Sequence, residues 1–164
     1  MPKFTELACE VFDFLEDEYG FVIKETKNTR NGGHVMYVNT NKGVALEISY
    51  EFLDAFVFMF VYKLVNGEIR ENSYPITEDS QITRFDFNYV LSKETEMRPA
   101  YEYGADSVFY DEENGLRNYM TESANRLRDY GSKFLRGDFS QMPLVEDAIK
   151  RRVREYNAER DRSK

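Results

Sequence analysis

Cysteine and histidine are almost missing from this 164-residue chain: Cys9 and His34 are its only examples. One cysteine excludes an internal disulfide framework, so nothing points to an oxidising compartment. One of each cannot build a Cys/His zinc tetrad or a His-rich catalytic zinc site. A Ser-His-Asp or Cys-His system needs a nucleophile, a base and an orienting group, and His34 fills only the middle role. A polar residue at a strand start accounts for it, and Cys9 reads as an indifferent thiol. Phosphate-binding glycine loops are missing as well, because Asn31-Gly32-Gly33-His34 joins two strands instead of opening a helix. The acids of 106–113 lack the spacing and central glycine of a calcium loop. No cofactor or metal is therefore expected.

Long apolar runs are absent too. The longest, at 55–62, is far short of the roughly 20 residues that cross a bilayer. The opening residues lack the apolar core of a signal peptide, and neither end carries a lipidation signal, so a cytoplasmic chain with no membrane partner is expected. Basic charge is in short supply: 22 Lys and Arg face 30 Asp and Glu, for a net charge of −8. That balance disfavours direct contact with nucleic acid and favours a basic partner.

What is present is a fold. Residues 55–63 (Ala-Phe-Val-Phe-Met-Phe-Val-Tyr-Lys) suit a central strand buried on both faces, with Phe56, Phe58, Phe60 and Tyr62 on one side. Upstream, Phe4, Leu7, Ala8, Val11, Phe14, Leu15 and Tyr19 fall at helical intervals, and Gly20 is placed to end that helix. Strands follow at 21–25 and 34–38, with a polar turn through 28–33 between them. Residues 44–51 alternate strictly, with Glu47, Ser49 and Glu51 on a wet face. A turn at Phe52-Leu53-Asp54 leads into the central strand. Asn66-Gly67 signals a hairpin into a polar edge strand over 68–74.

Residues 76–108 read less clearly: Phe85, Phe87, Tyr89 and Leu91 alternate, but a short helix after Thr83 is the favoured reading. Residues 97–110 read as a long structured loop. A helical repeat then runs from Leu116 to Leu135, with Asp111, Glu112 and Glu113 at its start and Gly137 at its end. Pro143 opens a final helix that frays beyond Tyr156. The expected architecture is one α+β domain over 1–158 with a frayed tail at 159–164. An antiparallel meander of about five strands carries an N-terminal helix and two C-terminal helices.

Three side-chain groups are candidates for chemistry or binding. Glu47 and Glu51, with Asp54 nearby, are a carboxylate pair from which a glycosidase-like hydrolase could be built if the sheet lined a cleft, although a solvated face is the favoured account of them. The 150–164 tail carries seven Lys or Arg against three acids, leaving −12 on the rest. Cations near a helix C-terminus are favoured by the dipole, and the acidic body opposes nucleic-acid contact.

The helix ending in Glu18-Tyr19-Gly20-Phe21, the short meander, and the helix ending in Phe134-Leu135-Arg136-Gly137-Asp138-Phe139-Ser140 together resemble a group of small acidic bacterial proteins. That group is similar to the immunity proteins that neutralise polymorphic toxins. The resemblance implies a non-enzymatic protein-binding module and supplies no catalytic residue. The surface such a role would use is the acidic, tyrosine-rich loop Tyr101, Glu102, Tyr103, Asp106, Tyr110, Asp111 and Glu112. The same tyrosines could instead pin the loop to the core. An acidic decoy that occupies the nucleic-acid site of another protein is the alternative binding role.

Overall fold

The computed structural model describes residues 3–52 and 56–164. Asp54, Ala55 and most of the turn into the central strand lie outside them. The described chain is an α+β fold built on a five-stranded antiparallel meander in the order β1-β2-β3-β4-β5. Its strands are β1 (Val22–Thr29), β2 (Gly32–Asn39), β3 (Val44–Glu51), β4 (Phe56–Lys63) and β5 (Arg84–Asp86). The helices are α1 (Phe4–Val11), α2 (Phe14–Asp17), α3 (Gly115–Tyr130), α4 (Ser132–Leu135) and α5 (Met142–Arg162). Among the described residues, no helix is long and apolar enough to cross a membrane.

The register sorts the strands into two faces. Val35, Ile48 and Met59 lie side by side, as do Tyr37, Leu46, Val61 and Phe85. These rows are buried with Phe4, Leu7 and Ala8 of α1, Met120 and Leu127 of α3, and Ile149 of α5 in one core. Fully burying a Leu46 or an Ile48 contributes about 1.5–3 kcal/mol each. The opposite face carries Phe58 and Phe60, which are only half-buried, so β4 is sealed on one side and merely sheltered on the other. A small second cluster of Met36, Val38, Ala45 and Tyr62 lies there under Leu64 and Ile69.

Several expectations are corrected. The N-terminal helix is broken after Val11, and Phe12, which lies off the apolar stripe of a continuous helix, is fully buried at the break, with Phe14 buried beside it. β1 continues to Thr29, and Gly32 and Gly33 belong to β2 instead of a turn. A Cβ on Gly32 would strike the Tyr50 carbonyl, so the glycine is needed for close strand approach.

The 68–74 edge strand does not form. Asn66 and Gly67 take the positive φ of a tight turn, but it closes on the single bridge Val65–Glu68. β4 pairs instead with Arg84–Asp86, which sets Phe85 beside Val61 on the covered face. The favoured helix after Thr83 is thus a strand followed by a 3-10 turn, Phe87–Val90. The long C-terminal helix breaks at Gly131, where a Cβ would meet the Phe87 ring at 2.9 Å. α5 does not fray at Tyr156 but runs to Arg162: its last turns hold Ala, Glu and Arg without Gly or Pro, and Arg160 and Arg162 complement the dipole.

Candidate partner-binding surface

The loop between the sheet and α3 is held from below by aromatic side chains. Tyr103 packs edge-on against Phe109 at 4.9 Å between ring centroids, and Phe109 against Tyr119 at 5.3 Å. Tyr119 is buried and donates its hydroxyl to the Arg98 carbonyl at 2.7 Å. The Arg98 amide donates to the Tyr103 hydroxyl at 3.1 Å, and the Arg98 guanidinium lies 4.8 Å above the Tyr103 ring. Two short 3-10 turns, Ala100–Tyr103 and Val108–Tyr110, give the loop its shape. Ser107 caps the second by accepting from the Phe109 amide at 3.0 Å. Asp111 accepts from the Asn114 amide at 2.7 Å, and Asn118 donates to the Val108 carbonyl at 3.0 Å, so the loop is tied to the start of α3.

This scaffold divides the predicted tyrosines. Tyr103 is a half-buried pin, whereas Tyr101 and Tyr110 remain 56% and 46% exposed. Val108, which the sequence reading passed over, is 64% exposed between them in the chain. Glu102, Asp106, Asp111, Glu112 and Glu113 of the same chain segment are all exposed. Asp106, Val108, Asp111 and Asn118 line an open hollow of about 550 Å³.

Residues 99–116 contain those five carboxylates and no Lys or Arg. Among the described residues none of the five enters an ion pair: of the two flanking cations, Arg98 lies over the Tyr103 ring of the same loop and Arg117 pairs with Glu10 at 2.9 Å. α3 begins only at Gly115, so the three acids expected at its start precede it, and of them Asp111 alone has a structural use, the bond from the Asn114 amide.

The open sheet face arranges its acids differently. Arg84 lies 3.7 Å above the Phe60 ring, donates to the Tyr62 hydroxyl at 2.9 Å, and stands 3.3 Å from Glu71 and 3.9 Å from Glu47. Burial pushes the Glu47 carboxyl above its ordinary pKa, and Arg84 and His34 only partly offset that. Burial likewise raises the Tyr62 phenol. Glu47 and Glu51 share this face but sit four residues apart on one strand, about 13 Å between Cα atoms at ordinary strand rise. The structure therefore brings Glu47 to Arg84 and leaves Glu51 apart.

His34 lies 3.5 Å from Glu25, with Ser49 opposite it in register and no hydrogen bond between His34 and Ser49 among the described residues. Cys9 faces the buried Tyr37, and burial raises the pKa of its thiol. Among the described residues no cluster of His, Cys, Asp and Glu could hold a metal ion. The first part of the basic tail is occupied in holding the 76–90 segment. Lys150 donates to the Glu78 carbonyl at 2.9 Å, Arg154 pairs with the Glu78 carboxylate, and Arg152 reaches Tyr89.

Compared with protein-family models, curated proteins and solved structures, the chain gave no match.

Proposed function

We propose that this chain is a non-enzymatic protein-binding module that engages a basic protein through the 99–116 surface, in the manner of an immunity protein neutralising a toxin. The observation that carries the reading is the combination of exposed Tyr101, Val108 and Tyr110 with five exposed carboxylates that enter no ion pair among the described residues. Exposed tyrosines supply anchors of large area and low conformational cost, and unpaired carboxylates of the same segment steer a cationic partner and complete its ion pairs. The loop is already ordered by Tyr103, Phe109 and Tyr119, so binding need not organise it. A toxin acting on nucleic acid has a cationic working face, and an acidic inhibitor gains rapid association with such a face.

The test is capture of partners from the native cells with the tagged chain, at low and at moderate salt. A variant carrying Tyr101→Ser and Tyr110→Ser is run beside it, with both folds checked by circular dichroism. One stoichiometric protein retained at moderate salt by the wild type, and lost by the variant, is the expected result. A salt-labile mixture of nucleic-acid-binding proteins would instead indicate the acidic decoy. A partner held equally by both forms would move the site away from this loop.

A further inference from the structure

The two edges of the sheet are finished in different ways. At one edge β5 is three residues long, and the Asn72 side chain closes it: its Oδ1 accepts from the Thr83 and Arg84 amides at 2.8 and 3.0 Å, and its Nδ2 donates to the Arg84 carbonyl at 2.7 Å. At the other edge β1 runs for eight residues, all exposed, and no strand lies beyond it among the described residues. An edge of that length is a template for another strand unless it is blunted. β1 carries two such devices, a bulge at Lys24 and the lysines Lys24 and Lys27, yet Glu25 through Thr29 pair regularly with β2 and leave a straight outer edge.

We infer that β1 is the interface of a symmetric homodimer, in which two copies pair their β1 strands antiparallel about a two-fold axis at Thr26. Charge complementarity argues for a second copy as the occupant and favours the register that sets opposite charges against each other. A two-fold axis normal to the sheet must pass beside one residue of β1, which then faces its own copy, because only then do outward-pointing amides and carbonyls meet. An axis at Lys24, Glu25 or Lys27 sets like charges directly opposite each other, which is destabilising. An axis at Thr26 sets threonine against threonine and Glu25 against Lys27 of the second copy, twice by symmetry. The bulge at Lys24 lies outside that regular stretch, and the one lysine within it, Lys27, finds an opposite charge. The result is a continuous ten-stranded sheet across two copies of a five-stranded one.

Sedimentation equilibrium of the full chain, from about 1 to about 500 μM, covers the weak range expected where only one strand per copy forms the contact. The wild type is expected to dimerise. Glu25→Lys sets lysine against lysine across the axis, Lys27→Glu sets glutamate against glutamate, and each weakens the dimer by about tenfold or more. The double variant Glu25→Lys/Lys27→Glu recreates both opposite-charge pairs with reversed polarity and restores the affinity, which separates interface repulsion from any local damage to β1. A wild type that stays monomeric throughout the range overturns the inference. So does a dimer indifferent to either single reversal, or single-variant losses that the double variant does not recover.

Discussion

Carboxylates crowd two regions of this molecule, the open face of the sheet and the 99–116 loop, and the two regions treat them in opposite ways. On the sheet, Glu47 and Glu71 converge on Arg84, whose guanidinium is stacked on Phe60 and bonded to Tyr62. The group is sheltered: the Arg84 and Glu47 side chains are 23% and 19% exposed. Its charges are answered from within the chain, and removing one leaves another desolvated and uncompensated. In the loop, five exposed carboxylates share the chain segment with exposed Tyr101, Val108 and Tyr110 and enter no ion pair among the described residues. The difference teaches how to separate structural from interacting acids when 30 of them are spread over one small domain. Sheet acids should matter for folding and not for partners, and loop acids the reverse.

The largest effect expected is on binding. Tyr101→Ser with Tyr110→Ser should lower affinity for the captured partner by about 100-fold or more, as loss of two interface anchors does, with the thermal midpoint essentially unchanged. Next comes Arg84→Met, which keeps the stack on Phe60 apolar but strands the sheltered Glu47, while Glu71 stays in water. Urea denaturation should show a loss of about 2 kcal/mol with partner affinity intact. Reversing loop charge with Asp106→Lys and Glu112→Lys should slow association about tenfold at low salt and flatten its salt dependence. The same variant should change unfolding free energy by less than about 0.5 kcal/mol.

The smallest effect concerns pH. Burial holds the folded Glu47 pKa above the value of 4.5 for a free carboxyl, so in that window the folded chain keeps a proton the unfolded chain has released. Stability from this group is fully present below about 4.5 and is lost as pH rises through the raised folded value. Gln is neutral at every pH and stands in for the protonated Glu47, so the wild-type and variant stability curves should run together below the window and separate as pH rises through it, the wild type losing stability that Glu47→Gln keeps. Asp86, raised in the same direction by burial, contributes equally to both curves and cancels in the difference.

The meander was legible because its signals are local. Strict alternation over 44–51 and the apolar run before Lys63 each describe a few neighbouring residues, whereas the equally local Asn66-Gly67 turn suggested an edge strand over 68–74 that does not form. The fifth strand was not legible, because its identity depends on the Asn72 side chain bonding to Thr83 and Arg84 and on Phe85 fitting beside Val61. The breaks beside Phe12 and at Gly131 likewise depend on distant packing, the latter on the Phe87 ring. The acidity of the loop could be read directly from composition. Its division into a pin and two exposed tyrosines could not, since Tyr103 is fixed by Phe109, and Phe109 by Tyr119 on the next helix. Val108 carries only one signal in the sequence, an apolar residue in a stretch with no cation.

The decisive measurement is carboxylate footprinting of the chain alone and with its captured partner, using carbodiimide-driven amidation read by mass spectrometry. Protection confined to Glu102, Asp106, Asp111, Glu112 and Glu113, with Glu25 and Glu51 of the sheet labelled equally in both states, is the predicted result. Unchanged labelling across 99–116, with protection on the sheet face instead, would contradict the assignment of the loop as the partner surface.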